Sequence, residues 1–464
     1  MGALYRAGEN KIRPGVYRRF EKSGISNVIG AIYGVFAIPV HAEFGPLEKV
    51  TTFESDQVGE LKQMYGTGGT VDAALALFDG GATKVHVYRL GTGGKVGSVK
   101  VGEIATLSTK YPTAGNYNIT IKDVLGDSTT KQLLVYHGAT LLEKIYFAAS
   151  ADEKAALVEA VNTQSNYLVA EKGTGTGAAE AVANAALAGG EEPTVTTEDY
   201  STAFEAFEAF KWNYLVLDTV DTSVHALVQA YLNRIFEEGA LGSCIIGEPT
   251  TVDFDLRCAH AAAFNDEKII YLGSGYRDSA GKEHDGYYAI AKQAGIIGSL
   301  ESNTSATHKV IPGAASVLES LKNSQYEKAI QNGMILLSPS DDGQVWFESG
   351  INTLLTPDEN QDEGWKKIRR TATRFEIFDR VDRSVAPLIG QVNCDNIGIG
   401  DVVVRGQSIL DAMVAEGKLQ EGATFVEDPD YKRGADFAHF KINALDLDSL
   451  EKIYLRYQFR FSAE

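Results

Sequence analysis

The clearest hydrophobic pattern lies near the C-terminal end of the sequence, where apolar and polar residues alternate over 453–461. One face of an extended chain would carry Ile453, Leu455, Tyr457, Phe459 and Phe461. A period of two predicts a β-strand with one buried face. We expect this strand either to close a sheet of its own domain or to add to the sheet edge of a neighbouring chain.

A second extended segment, KIRPGVYRRF, lies near the N-terminal end and is interrupted at Pro14-Gly15. A proline suits an edge strand or an arm rather than the centre of a sheet. The residues that we expect to pair with a neighbour are Ile12, Val16, Tyr17 and Phe20. With two exchangeable ends, contacts between copies need not close on themselves, and such contacts give helical polymers.

Between these arms, the pattern alternates between helical and strand periodicity. A helix over Val71–Phe78 precedes an apolar strand over Lys84–Leu90, and a helix over Phe254–Phe264 precedes the strand KIIYLGS. Helices followed by apolar strands predict a mostly parallel sheet with crossover helices.

Two stretches depart from this alternation. Residues 91–150 contain short β runs separated by turn residues, which predicts a small β domain inserted into the α/β core. After Ser340, GQVWFESGINTL predicts a hairpin, EGWKKIRRTATRFEIFDRVDRSVAPLIG a long helix, SILDAMVAEGKLQ a second helix and FVEDPDYKRG a loop. These elements, with a following strand, predict an α+β domain.

The predicted fold class is an α/β core with an inserted small β domain, plus a C-terminal α+β domain with extended N- and C-terminal strand arms. The predicted divisions are an N-terminal arm at 1–24, the core at 25–90 and 151–340, the inserted β domain at 91–150, the C-terminal domain at 341–448 and the C-terminal strand arm at 449–464. Lys22–Gly24 and Leu445–Ser449 are the expected hinges.

Composition narrows the possible functions. The 464 residues carry 43 basic and 62 acidic side chains, a formal net charge of −19. Such a polyanion is a poor non-specific ligand for nucleic acid, since that binding needs Lys and Arg against phosphates. No apolar run has the length of a membrane span, and no signal peptide is evident. Cys244, Cys258 and Cys394 form no close pair, which favours buried thiols in a reducing cytosol.

Candidate chemistry is sparse. GTGTGA at 173–178 fits the GxGxxG/A dinucleotide fingerprint and precedes an Ala-rich stretch with helical character, but the second strand of a nucleotide-binding unit is missing. None of the eight histidines forms a tight metal pair. We predict no catalytic residue, no metal site and no cofactor. The alternative is an α/β nucleotide-dependent enzyme using the 173–178 loop, and a third reading is a monomeric binding module.

One basic cluster stands out in this acidic chain. Five cations lie within 366–374, namely Lys366, Lys367, Arg369, Arg370 and Arg374. On a continuous helix, Lys366, Arg370 and Arg374 would share one face. They form either a solvated helix face or a docking surface for an acidic partner.

The order of several motifs resembles that of contractile-tail sheath proteins. GPLEKVTTFESDQVGELKQMYG followed by GGTVDAALALFDGGATKVHVYRL is similar to the N-terminal signature of that family, and PGVY to its start. LAGGEEPTVTTEDYSTAFEAFEAFKWNYLVL resembles its passage into a core strand. ESGINTL, IRRTATRFEIFDR and the final strand resemble its C-terminal domain.

The resemblance implies a structural and mechanical subunit of a bacteriophage tail, a prophage-like particle or a bacteriocin. It would assemble in the bacterial host cytoplasm as stacked hexameric rings around a tail tube, with the arms joining neighbouring subunits. The implied partners are itself, the tube protein, and the baseplate and tail terminator proteins, with no direct nucleic acid and no membrane insertion. The basic cluster would face the tube, and contraction would need no nucleotide.

Overall fold

The computed structural model describes residues 30–459, together with the backbone of two short strands nearer the N-terminus. Two units are distinguished along the chain. The smaller unit comprises Met1–Ala31 and Arg380–Ala444, and the larger unit comprises Ile32–Asp379 and Leu445–Glu464. The predicted mixed α/β class is confirmed, since several sheets and helices alternate along the chain.

The described strands are, in chain order, β1 (Ala3–Leu4), β2 (Tyr17–Arg18), β3 (Val35–Val40), β4 (Val50–Glu54), β5 (Lys84–Arg89), β6 (Ser98–Val101), β7 (Ala105–Thr109), β8 (Tyr117–Val124), β9 (Asp127–His137), β10 (Thr140–Ala148), β11 (Leu168–Lys172), β12 (Val182–Ala186), β13 (Tyr214–Val216), β14 (Ser243–Gly247), β15 (Ile269–Leu272), β16 (Tyr276–Asp278), β17 (Glu283–His284), β18 (Ala314–Val317), β19 (Met334–Ile335), β20 (Leu337–Pro339), β21 (Val345–Phe347), β22 (Thr424–Glu427) and β23 (Phe440–Asn443). The described α-helices are α1 (Val58–Tyr65), α2 (Val71–Gly80), α3 (Lys154–Gln164), α4 (Thr197–Phe207), α5 (Thr222–Glu237), α6 (Phe254–Phe264), α7 (Gly286–Gly298), α8 (Asn323–Gln331), α9 (Ile368–Val385) and α10 (Asn396–Ala415).

A seven-stranded sheet forms the centre of the larger unit, in the order β19-β15-β14-β13-β3-β5-β4. All neighbouring pairs are parallel except β4 with β5. Side chains of β3 alternate between two cores, with Phe36 and Ile38 on the side of α2 and α7, and Val35 and Ala37 on the side of α4, α5 and α6. Apolar residues on both faces explain why the strands read as nearly continuous hydrophobic runs.

The inserted β unit extends further along the chain than predicted. Its sheets have the orders β10-β9-β8-β12 and β11-β7-β6, so strands as late as β12 belong to it, and α3 packs against this unit. The predicted helical character after the Gly-rich loop is wrong, because the Ala-rich segment forms β12 and pairs antiparallel with β8. Pairing across the sheet overrides the intrinsic helix propensity of alanine.

Two further elements differ from their predictions near the C-terminal end of the chain. The hairpin consists of β20 and β21, so it begins before GQVWFESGINTL and ends at Phe347. The predicted loop FVEDPDYKRG begins inside β22, which pairs antiparallel with β23 in the smaller unit. Phe425 of β22 is buried, and its ring stacks on that of Phe440 with the ring centroids 5.4 Å apart. Tertiary packing therefore stabilises β22 as a strand.

Candidate assembly surfaces

The predicted C-terminal strand is not formed within the described part of the chain. Residues 451–459 have no regular secondary structure, and no described strand pairs with them. The exposed fractions on the predicted buried face are 69% at Ile453, 70% at Leu455, 72% at Tyr457 and 93% at Phe459. A strand needs partners for its backbone N–H and C=O groups. Alternation of apolar and polar residues does not supply them, so the segment stays exposed without a partner strand. Phe461 lies outside the described residues.

The same segment nevertheless has the local geometry of a strand at its end. The rings of Tyr457 and Phe459 lie 6.3 Å apart with an interplanar angle of 10°, so side chains two residues apart point the same way. In an extended chain, this is the relation that places residues i and i+2 on one face. Tyr454, which belongs to the opposite face, is also exposed, at 89%.

The N-terminal arm lies largely outside the described residues. Ile12, Val16 and Phe20 are not described, and for Tyr17 only the backbone is, within β2. That strand pairs in parallel with β1, where Ala3 faces Tyr17. The predicted exchange of this arm with a neighbour therefore stays a prediction.

The basic cluster does not occupy one continuous helix face, contrary to the prediction. Lys366 ends a short 3-10 helix over Glu363–Lys366, and α9 begins only at Ile368. The Asp362 carboxylate accepts a hydrogen bond from the Gly364 N–H and so caps the 3-10 turn. Lys367 then adopts extended backbone angles, which separates the two helices.

Four of the five cations pair with carboxylates of the same unit. Lys366 lies 2.8 Å from Glu363 and Lys367 pairs with Glu451. Arg370 pairs with Asp446, while Arg374 pairs with Asp362 at 2.9 Å and with Asp446 at 3.1 Å. Arg374 also lies over the Trp365 ring, 4.6 Å from its centroid. The fifth cation, Arg369, is half-buried.

Asp446 is the central acceptor of this cluster, and it is only 8% exposed. Arg370 donates to both of its oxygens through Nε at 2.6 Å and a terminal nitrogen at 2.8 Å. Burial by itself raises the pKa of Asp446, but the hydrogen bonds and charges of Arg370 and Arg374 outweigh burial and hold the pKa below its ordinary value. Asp446 is therefore ionised at neutral pH.

Glu451 is the second acceptor, five residues further along. Its carboxylate accepts hydrogen bonds from Thr307 at 3.0 Å and from Ser305 at 3.3 Å, besides its ion pair with Lys367. Burial opposes ionisation of Glu451, but Lys367 and the two hydroxyl groups lower its pKa overall. The segment Leu445–Glu451 is thus held at two points. The division between the two units falls between Ala444 and Leu445, and the predicted hinge at Leu445–Ser449 stays a prediction.

These contacts change the interpretation of the basic cluster. The positive charges are largely neutralised by the chain itself, so they do not form an open positive surface. Sequence reasoning considered the cations alone and missed the acidic run LDLDSLE at 445–451. The sequence feature that could have predicted these ion pairs is the presence of one short basic run, 366–374, and one short acidic run, 445–451, in the same chain.

A two-stranded sheet in the smaller unit offers free edges. β22 and β23 pair only with each other among the described residues, so each keeps one unpaired edge. Val426, on β22, is 39% exposed. An unpaired strand edge presents a row of backbone donors and acceptors to an incoming strand.

The Gly-rich loop at 173–178 does not form a nucleotide site. It lies between β11 and β12 of the inserted β unit, whereas the dinucleotide fingerprint requires a turn from a parallel strand into a helix. The Gly173 N–H donates to the Ile104 carbonyl at 2.7 Å, and the Gly175 N–H to the Glu103 carbonyl at 2.8 Å. Those amides are therefore already engaged.

The carboxyl edge of the parallel sheet, where α/β proteins bind ligands, is filled by an internal network. The sheet order reverses between β3 and β13, and Asp218 follows β13 at this position with its side chain fully buried. Its carboxylate accepts hydrogen bonds from Tyr200 at 2.8 Å, from the His41 backbone at 3.1 Å and from Thr70. These bonds satisfy the group that a ligand would otherwise contact.

The described residues contain no group of three or more His, Cys, Asp or Glu side chains arranged to hold a metal ion. Within the same part of the chain, no helix combines the length and apolar character needed to cross a bilayer. Cys244 and Cys258 are buried free thiols, and Cys394 is half-buried.

Comparison with known proteins supports the resemblance found in the sequence. Residues 194–353, which run from the start of α4 to beyond β21, match the family model described as the phage tail sheath protein central domain. That range includes four of the strands that build the central sheet, β13, β14, β15 and β19, and four of the helices that cover it, α4 to α7.

The similarity extends beyond that domain. A Bacillus subtilis (strain 168) protein named YqbK, described as uncharacterized, is 25% identical over 374 residues, 78% of this chain and 77% of its own. The crystal structure of the sheath tail protein from Desulfitobacterium hafniense has a TM-score of 0.72 at 19% identity, covering 93% of this chain and 100% of that one. The contracted sheath complex of an extracellular contractile injection system, called PVC, has a TM-score of 0.56 at 8% identity, covering 98% and 99%.

Proposed function

We propose that this chain, part of which matches the family model of the phage tail sheath central domain, is the structural subunit of a contractile tail sheath. The observation that carries the proposal is the match of residues 194–353 to that domain, within a fold that aligns with sheath structures over more than nine-tenths of the chain. Copies would polymerise around a tail tube in an extended, metastable array and contract to drive the tube through a cell envelope.

The proposed work is mechanical rather than catalytic. The Gly-rich loop uses its amides internally, and the switch point of the sheet is filled by the Asp218 network. Contraction would therefore draw its free energy from new contacts between subunits and not from nucleotide hydrolysis. The subunit partners would be further copies of itself and the baseplate, with the tail tube and the terminator as further proposed partners.

The exposed C-terminal segment supports strand exchange as the link between copies. Its alternating apolar residues Ile453, Leu455, Tyr457 and Phe459 are at least 69% exposed, and β22–β23 has free edges. Burying four such side chains stabilises an interface by about 1.5–3 kcal/mol each, before the cost of ordering the segment. The N-terminal residues Ile12, Val16, Tyr17 and Phe20 are the proposed counterpart.

We also propose that the basic cluster docks on the tube, although its ion pairs weaken the case. The residues are Lys366, Lys367, Arg369, Arg370 and Arg374. Four of these cations already pair with carboxylates of the same unit, so an acidic tube would have to displace the intramolecular partners. Displacement exchanges one ion pair for another, which contributes little net affinity.

Electron microscopy of the full chain, purified alone and co-expressed with a tail tube protein, tests the function. We expect striated cylinders that shorten and widen on contraction. Only dispersed particles under both conditions, together with micromolar binding of ATP or NAD by calorimetry, would replace this proposal with the nucleotide-dependent alternative.

A further inference from the structure

The contacts of the acidic segment Leu445–Glu451 carry an inference about how the C-terminal arm is presented. Up to Glu451 two carboxylates hold the chain to the basic cluster, and beyond it every described side chain, over 452–459, is exposed. Asp446 is buried and Glu451 is half-buried, whereas Tyr454 is 89% exposed. The boundary between held and projecting chain therefore coincides with the last ion pair.

We propose that the basic cluster of Lys367, Arg370 and Arg374 is the receptor for this segment of its own chain, an electrostatic anchor that fixes the root of the C-terminal arm and sets the direction in which the arm leaves the subunit. Only one part of this proposal rests on the proposed sheath function, namely that the arm joins neighbouring subunits. The anchor itself is a property of the single subunit.

The chemistry favours a peptide carboxylate as the occupant over an unrelated partner. Arg370 grips Asp446 through two nitrogens, a bidentate geometry that fixes orientation as well as charge. Arg374 bridges Asp446 and Asp362 and is held over the Trp365 ring, so its guanidinium is already oriented. A receptor with preset orientation suits one defined segment rather than a variable surface.

The spacing of the two anchor points explains why they control direction. Asp446 and Glu451 are five residues apart, so the backbone between them spans at most about 17 Å. Two fixed points separated along a short chain define a line, whereas one point would leave the arm free to swing. Leu447 and Leu450 between them face outward, at 36% and 80% exposed.

A matched set of variants tests the anchor. Asp446→Asn with Glu451→Gln removes both anchor charges, and Asp448→Asn removes an exposed acid of the same segment whose described bonds are local, to Ser449. Hydrogen–deuterium exchange of residues 445–452 in the unassembled chain is the direct measurement. We expect exchange to accelerate by roughly tenfold or more in the double variant. It should change much less in Asp448→Asn, whose amide oxygen can still accept the hydrogen bond from the Ser449 N–H.

A charge swap separates loss of the anchor from loss of folding. Lys367→Glu alone should accelerate exchange of 445–452, because it places two half-buried carboxylates side by side. Lys367→Glu with Glu451→Lys should restore protection, because the ion pair forms again with the two charges exchanged. Circular dichroism of each variant monitors folding. Unchanged exchange in the double variant with intact folding, or absence of rescue by the swap, would overturn the anchor.

Assembly distinguishes the anchor from a tube-docking surface. If the cluster grips the tube, neutralising Asp446 and Glu451 frees the cations and should strengthen binding to an acidic tube. If it anchors the arm, the same change should reduce the yield of cylinders several-fold, while Asp448→Asn assembles normally. Faster exchange with normal cylinders refutes the role in assembly, and a wild-type chain that forms no cylinders refutes the proposed function instead.

Discussion

Buried His225 contributes to the way in which the stability of the larger unit depends on pH. His225, at the start of α5, is 1% exposed, and neither ring nitrogen has a hydrogen-bond partner of good geometry among the described residues. Burial lowers the pKa of His225 to about 4 from an ordinary 6.5, against the opposing effects of the nearby Thr219 backbone, Glu248 and Asp221. The folded state therefore keeps this ring neutral where the unfolded state binds a proton.

We expect His225→Leu to flatten the dependence of stability on pH. With the folded pKa below the unfolded one, stability falls as pH decreases from 6.5 towards 4, by about 3 kcal/mol in total. The leucine variant should lose this decrease and match or exceed the wild type at pH 7. Urea unfolding at several pH values measures the effect. An equally steep profile in the variant would show that another group is responsible.

The pKa of His41 shifts in the opposite direction to that of His225. Its hydrogen bond with Asp218, 2.8 Å from Nδ1, raises the pKa of His41, although partial burial opposes the shift. Its charged form therefore contributes stability that is complete below pH 6.5 and is lost as pH rises through the raised pKa. His41→Gln should consequently destabilise the chain more at pH 6 than at pH 8.5, the reverse of His225→Leu.

At the scale of elements, the sequence predicted what local periodicity determines. The helix over Phe254–Phe264 has its predicted limits, and β5 ends one residue before the prediction. β22 was missed because turn-forming residues follow it directly and it forms only by pairing with β23 across that loop. β12 was missed because its partner β8 lies far earlier in the chain. The neutralised basic cluster was missed for the same reason, since its carboxylates at Asp446 and Glu451 lie more than 70 residues after their partners.

The chain enters and leaves the inserted β unit through two adjacent segments, so the unit could be removed without separating the ends that remain. Thr92 faces Thr194, and Lys95 faces Glu191, in antiparallel bridges. None of the seven strands of the central sheet comes from the intervening segment. The core should therefore fold without it.

We expect replacement of residues 96–190 by an Asn-Gly turn to leave a folded protein, because that dipeptide closes an antiparallel pair. Phe44 loses its contacts with Tyr111 and Tyr117, so the variant also carries Phe44→Ser. Circular dichroism should retain the α/β signal, since the seven strands of the central sheet are unchanged. An aggregated or unfolded product would mean that the core depends on the inserted unit. The control is Phe44→Ser in the full-length chain.

At the scale of the whole molecule, the net charge would oppose the proposed assembly and the arm would favour it. A net charge of −19 makes copies repel one another at low ionic strength. Attraction must therefore come from contacts that dominate at short range, such as backbone pairing and apolar burial. This balance suits a subunit that stays dispersed until a template brings copies close together.

The two faces of the arm give a decisive test of strand exchange. If residues 453–459 add to a neighbouring sheet with one face buried, Leu455→Ser with Tyr457→Ser should abolish cylinders, because about 1.5–3 kcal/mol per side chain is lost. Tyr454→Ser with Arg456→Ser changes the opposite face and should leave assembly nearly normal. Both pairs are highly exposed in the free chain, so neither should alter its folding. Equal effects of the two pairs on cylinder yield would indicate contact without strand register, since only a pleated strand separates alternate residues into two environments.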